Sequence, residues 1–191
     1  MKFKFFTILL TLVICLTSIC LAGCMGGGTD TNTNSGEVTV GNKVGNLCPE
    51  FKLEIFDENG LSGEKIDPSK TGKVTVINFW GTWCTSCVAE LPYFDEVASE
   101  NKENVTVIAV HTVDQFNTAA EYVDNNYKDS DMIFVKDEAG VSADKYYTEL
   151  GGAYGYPFTV ILDKDGVITF KKLGSLSHES LNNEVAKALN K

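Results

Sequence analysis

The chain has 191 residues, 16 Lys with no Arg, 26 Asp plus Glu and a formal net charge of −10 at pH 7. So acidic a surface excludes nucleic acid as a partner, because phosphates need a basic patch. The length allows one ordinary folded domain, and nothing in the composition asks for more than a monomer.

Lys2 and Lys4 give a positive start, residues 5–19 an apolar run, and Leu21-Ala22-Gly23-Cys24 a small-residue cleavage region, the layout of an export signal. The run is short for a membrane span. The tetrapeptide resembles a bacterial lipobox, which implies that Cys24 carries a diacylglyceryl group at the start of the mature chain. Residues 25–36 are rich in Gly, Thr, Asn and Ser with no apolar residue after Met25, the composition of a flexible tether. The expected organisation is a lipoprotein signal over 1–23, a lipidated tether over 24–36 and a folded domain over 37–191. Its expected place is the outer face of the bacterial cell membrane. An acidic chain beside anionic lipid leaves the lipid, and no polybasic patch, to do the anchoring.

Through the domain, apolar runs and turn signals alternate. The pattern predicts strands over 51–56 and 74–79, a helix over 87–101, a strand over 105–110, a helix over 115–126 and a strand over 133–135. A helix over 142–147, strands over 158–162 and 167–171, and a helix over 178–190 follow. The continuous apolar strands TVINF and VTVIAV suit parallel strands covered on both faces. Asp163-Lys164-Asp165-Gly166 reads as a hairpin turn. This order predicts an α/β fold with a mixed central sheet between helical layers.

Six Cys are present. Cys15 and Cys20 leave with the signal and Cys24 is capped, so Cys48, Cys84 and Cys87 remain. Three thiols do not make a disulfide framework; one close pair and one odd thiol in an oxidising compartment suggest a redox pair. Cys84 and Cys87 stand two residues apart where a strand hands over to a helix. The unpaired N–H groups and positive dipole end of that helix favour thiolate at Cys84, the expected nucleophile. Zinc needs four ligands and no second pair exists, so no metal is assigned.

The element order, with Trp83-Cys84-Thr85-Ser86-Cys87 and Tyr156-Pro157-Phe158-Thr159, resembles the thioredoxin fold. More narrowly, the chain resembles the extracytoplasmic, membrane-tethered thiol-disulfide oxidoreductases of the ResA and TlpA type over about residues 44–189. The resemblance implies an N-terminal β-hairpin extension over 44–66 and a central helical insertion over 111–147. It also implies that Cys84 attacks a target disulfide and Cys87 resolves the mixed disulfide, with no cofactor. Glu90, one helical turn beyond Cys87, would tune the thiols and move protons; a first-turn acid favoured by the helix dipole is the plainer reading. Asn78 stands where cytoplasmic thioredoxins carry a buried aspartate. Pro157 would be cis and packed on the dithiol, Tyr156 would help bind an extended substrate strand, and Trp83 would form an apolar rim while Trp80 packs. Pro92 resembles the fold's helix-kinking proline.

The same resemblance implies protein disulfides as substrates, those of apocytochrome c among them, and a transmembrane electron donor of the CcdA or DsbD type. Thr85-Ser86 does not announce whether the pair reduces or oxidises; the direction rests on potentials. Two other classes stand beside this one. A thiol peroxidase normally backs its cysteine with an arginine, which the chain lacks. A Cu(I)-binding module suits thiolates, but relatives of that kind use a longer spacing and a histidine in the second half, and none lies between Asp114 and Leu176. Cys48 is read as a buried inert thiol or a third redox thiol. His111 is read as a residue tuning the site, a soft-metal ligand or a plain loop residue, and His178 as solvent-facing.

Overall fold

The computed structural model describes residues 39–112, 116–137, 145–153 and 155–191. The expected signal, the tether and Cys24 lie outside the described residues. The elements in chain order are β1 (Leu53–Asp57), β2 (Gly60–Ile66), β3 (Val74–Trp80), α1 (Thr85–Asn101), β4 (Val105–His111) and α2 (Phe116–Tyr127). Then come β5 (Ile133–Lys136), α3 (Lys145–Glu149), β6 (Phe158–Leu162), β7 (Ile168–Leu173) and α4 (His178–Leu189).

The strands form one mixed sheet in the order β2-β1-β5-β4-β3-β6-β7. β3 runs parallel to β4, with Trp80 opposite His111, and β4 parallel to β5; β6 pairs antiparallel to β3 and β7 antiparallel to β6. All seven residues of β3 are buried, as an apolar run between two helical layers requires. On one face Val74, Val76 and Trp80 pack with Leu91, Phe94 and Val97 of α1, Ala119 and Val123 of α2, and Leu181 and Val185 of α4. On the other, Ile77 and Phe79 pack with Tyr146 and Tyr147 of α3, with Cys48 and with Phe51. The second face is therefore covered by one short helix and by chain that precedes β1.

β2 escapes the periodicity because GLSGEKI carries two glycines and no alternating apolar residues. It forms as the return arm of a hairpin whose turn is set by Asp57, whose Oδ1 accepts the Asn59 N–H at 2.7 Å, and by Gly60 at φ 108°, a conformation that disfavours a side chain. Together β1 and β2 form the expected N-terminal hairpin, and β1 is docked on β5. The insertion contributes α2 and α3, and also β5, which joins the sheet between β1 and β4. The β6–β7 turn is as expected: Asp163 Oδ1 accepts the N–H groups of Asp165 and Val167, each at 3.0 Å.

Phe79 is fully buried between the Phe158 ring, 5.6 Å away and stacked, and the Tyr147 ring, 5.5 Å away and edge-on. Replacing it by alanine removes the centre of that face, and Phe79→Ala is expected to lower unfolding stability by about 3–5 kcal/mol. Urea denaturation measures this, and a loss under about 1 kcal/mol would contradict the packing described.

Candidate redox site

α1 begins at Thr85 with Cys84 as its N-cap, the Sγ accepting the Cys87 N–H at 3.2 Å. The cap is where the helix still has unpaired N–H groups. Cys84 and Cys87 are joined by a disulfide, S–S 2.05 Å. Both residues are buried, Cys84 at 6% exposure and Cys87 completely. Ser86 Oγ lies 3.5 Å from the Cys84 sulfur.

Trp83, beside the pair, is 54% exposed. Its indole lies over Gly81, where a Cβ would come within 2.6 Å of the ring nitrogen, so the bare backbone there makes room for it. Its ring meets Tyr156 edge-on at 5.5 Å, and Tyr156 stacks on Tyr147 at 4.7 Å. The Tyr147 hydroxyl donates to Gly155 O at 2.6 Å and so ties the loop before β6 to α3. The Tyr156–Pro157 bond is cis, the form that the resemblance implied. Trp80 is wholly buried and packs on His111, Tyr122 and Phe134.

Glu90 is only 2% exposed, and its carboxylate faces away from water. Oε1 accepts Asn78 Nδ2 at 2.9 Å and Oε2 accepts the main-chain N–H of Leu176 at 2.9 Å. The position taken from sequence as the loss of an acid is thus a partner of the remaining one. Sequence reasoning missed this pairing; its signal was an amide inside a strand otherwise apolar and buried, which requires a hydrogen-bond partner. Burial pushes the Glu90 carboxyl up from 4.5 to about 7, against the Leu176 and Asn78 hydrogen bonds and the Lys172 charge, which favour the ionised form.

Cys48 is buried with its Sγ 3.8 Å from the Tyr146 hydroxyl. Burial raises its thiol to about 11, the Tyr146 contact opposing, so it stays protonated at neutral pH. His111 is buried at the end of β4, on the sheet edge where α1 starts. Among the described residues no group of three or more His, Cys, Asp or Glu is arranged to hold a metal. His178 stays partly open to solvent, its side chain 38% exposed, while it stacks on Tyr93 of α1 at 5.4 Å and lies 3.3 Å from Glu96.

The family model described as Redoxin matches residues 43–189. The chain belongs to the Redoxin family. This redoxin is 31% identical over 147 residues to the thiol:disulfide interchange protein DsbE of Vibrio cholerae, a match covering 75% of this chain and 72% of that one. It is 32% identical over 149 residues to the thiol-disulfide oxidoreductase ResA of Bacillus cereus, covering 76% and 78%. A solved structure of a putative DsbE from Chlorobium tepidum superposes with a TM-score of 0.64 at 22% identity, covering 77% and 98%. The redoxin is a thioredoxin-fold thiol-disulfide oxidoreductase with Cys84 and Cys87 at disulfide distance. Among the described residues no helix is long and apolar enough to cross a membrane.

Because the folded protein holds the Glu90 proton to about 7 while the unfolded chain releases it near 4.5, stability falls as pH rises through that window and levels above it. Below pH 4.5 both states are protonated and the term vanishes. Relative to Glu90→Gln, the native chain is expected to lose about 3 kcal/mol between pH 4.5 and 8. Paired denaturation curves at several pH values measure it, and a pH-independent difference would overturn the assignment.

Proposed function

We propose that this redoxin is a lipid-anchored reductant of extracytoplasmic protein disulfides, held at the membrane through Cys24 and re-reduced by a transmembrane electron carrier of the CcdA or DsbD type. The observation that carries the catalytic reading is the disulfide-bonded pair at the start of α1, Cys84 as its cap and slightly exposed, Cys87 fully buried, with a buried carboxyl one turn further along.

In the reduced protein the Cys84 thiolate, supported by the Cys87 N–H and the helix dipole, attacks one sulfur of the substrate disulfide. That bond breaks, the departing sulfur takes a proton from solvent, and a mixed disulfide joins Cys84 to the substrate. Burial opposes a thiolate at Cys87, so the second step needs a base. Glu90 accepts the Cys87 proton, the resulting thiolate attacks Cys84 Sγ, and the substrate leaves as its second thiol. Two electrons pass from the pair to the substrate, and the Cys84–Cys87 disulfide remains. A carboxyl titrating near neutrality suits a group that takes and returns one proton per cycle. Trp83 and Tyr156 form the apolar contact for the substrate chain, and Pro157 sets the loop against which it pairs in an extended form.

Cys84→Ser is expected to abolish exchange, whereas Cys87→Ser accumulates a mixed disulfide detectable by non-reducing mass spectrometry. Glu90→Gln slows release of that mixed disulfide by roughly a hundredfold and removes an inflection near pH 7 from the exchange rate; an unchanged profile takes Glu90 out of the mechanism. Equilibration in thiol redox buffers reads the direction. A potential near −270 mV, about that of thioredoxin, supports the reductant, and one near −120 mV, about that of a disulfide-forming oxidase, replaces it with the opposite activity.

A further inference from the structure

Asn78 lies in the middle of β3 on the face that packs against α1, in the row of Val74, Val76 and Trp80. It is completely buried. Its Nδ2 donates to Glu90 Oε1 at 2.9 Å and to Thr159 Oγ1 at 3.3 Å, Thr159 being its neighbour across the β3–β6 ladder. Its Oδ1 is buried with no hydrogen-bond partner. A buried orphan acceptor is uncommon and calls for an explanation.

Resting on the reading of Glu90 as the proton acceptor, we propose that Asn78 is the positioning residue of that carboxyl, and that its carboxamide turns over when Glu90 takes up a proton, presenting Oδ1 where Nδ2 now stands. The donor inventory favours this. Oε2 accepts from the Leu176 main-chain N–H, a donor that cannot reverse its role, so the added proton belongs on Oε1. There it would meet Nδ2, donor against donor. A half-turn about the last side-chain torsion removes the conflict, since an amide offers two donors at one end and an acceptor at the other. Thr159 permits the turn, because a hydroxyl either accepts from Nδ2 or donates to Oδ1. No bond to Oδ1 has to break first.

The device explains what an amide does here that an aspartate would not. A carboxylate at 78 would repel ionised Glu90, whereas the amide gives each protonation state of Glu90 a matching partner. Among the described residues, the charge acting on Glu90 is that of Lys172 of β7, which favours the carboxylate, and Cys87 stands one turn before it on its own helix. His178, at the start of α4, is engaged with Glu96 and Tyr93. Burial holds the Glu90 proton to about 7, so both states are populated near neutral pH.

The test is a magnetic-resonance titration of the oxidised full-length chain from pH 5 to 9, with carbon-13 at the Glu carboxyls and nitrogen-15 at the Asn side chains. In that form the two cysteines do not titrate. The expected result is that the Asn78 side-chain amide signals move with the same midpoint as the Glu90 carboxyl, and that Glu90→Gln abolishes their movement. Amide signals that stay constant through the Glu90 transition overturn the proposal. Asn78→Leu, which keeps the volume and offers no hydrogen bond, should raise the Glu90 midpoint by about one unit. A midpoint that stays put also overturns the proposal; should that variant not fold, the titration of the native chain decides alone. The catalytic reading fails separately: if amide and carboxyl titrate together while Glu90→Gln leaves the exchange profile unaltered, the pairing holds and the role in proton transfer falls.

Discussion

A carboxylate removed from water must be met by donors or give up its charge, and under helix α1 Glu90 is met by Asn78 from the central strand and by the Leu176 main chain from the approach to α4. Three pieces of the fold converge on one side chain, which sits a single turn beyond the buried sulfur of the redox pair. Because Asn78 also bonds Thr159 of β6, the carboxyl is linked to the strand that begins at Phe158, directly after the cis proline. The site is therefore a local arrangement on α1 whose electrostatics are set by β3, by its neighbours β6 and β7 and by the chain leading into α4.

The sheet gives this arrangement its rigidity. β3 is flanked by β4 and β6 and covered on both faces, so the Cα of Asn78 has little freedom. The exposed end of the site behaves differently. Trp83, Tyr156 and Tyr147 form a chain of ring contacts at the rim, and Trp83 remains half open to solvent. The site thus joins a fixed interior to an open aromatic edge.

What the sequence made legible was whatever its local pattern encodes. The apolar run of β3, the helix after Cys84, the Asp163–Gly166 turn and the close cysteine pair each rest on residues only a few positions apart. The β2 strand was hidden, because GLSGEKI gains its pairing from the turn before it and from β1, and not from its own composition. The partners of Glu90 were hidden for a topological reason: Asn78 is 12 positions away and Leu176 is 86. The contacts of His178 were hidden for the same reason, since Tyr93 and Glu96 belong to another helix that only the fold brings beside the partly exposed imidazole. The resemblance to ResA-like proteins pointed to Glu90 itself, but not to Asn78 as its partner.

One half of the Glu90 clamp is a peptide N–H, and this has a genetic meaning. Every residue except proline supplies that donor at position 176, so the side chain there can drift under its own packing demands while the hydrogen bond is inherited through the path of the loop. A substitution scan would register Leu176 only through the packing of its buried side chain, and would miss the hydrogen bond. Loops of this kind carry functional information in their length and course, and an insertion or deletion between Leu173 and Ser177 would erase what single replacements leave untouched.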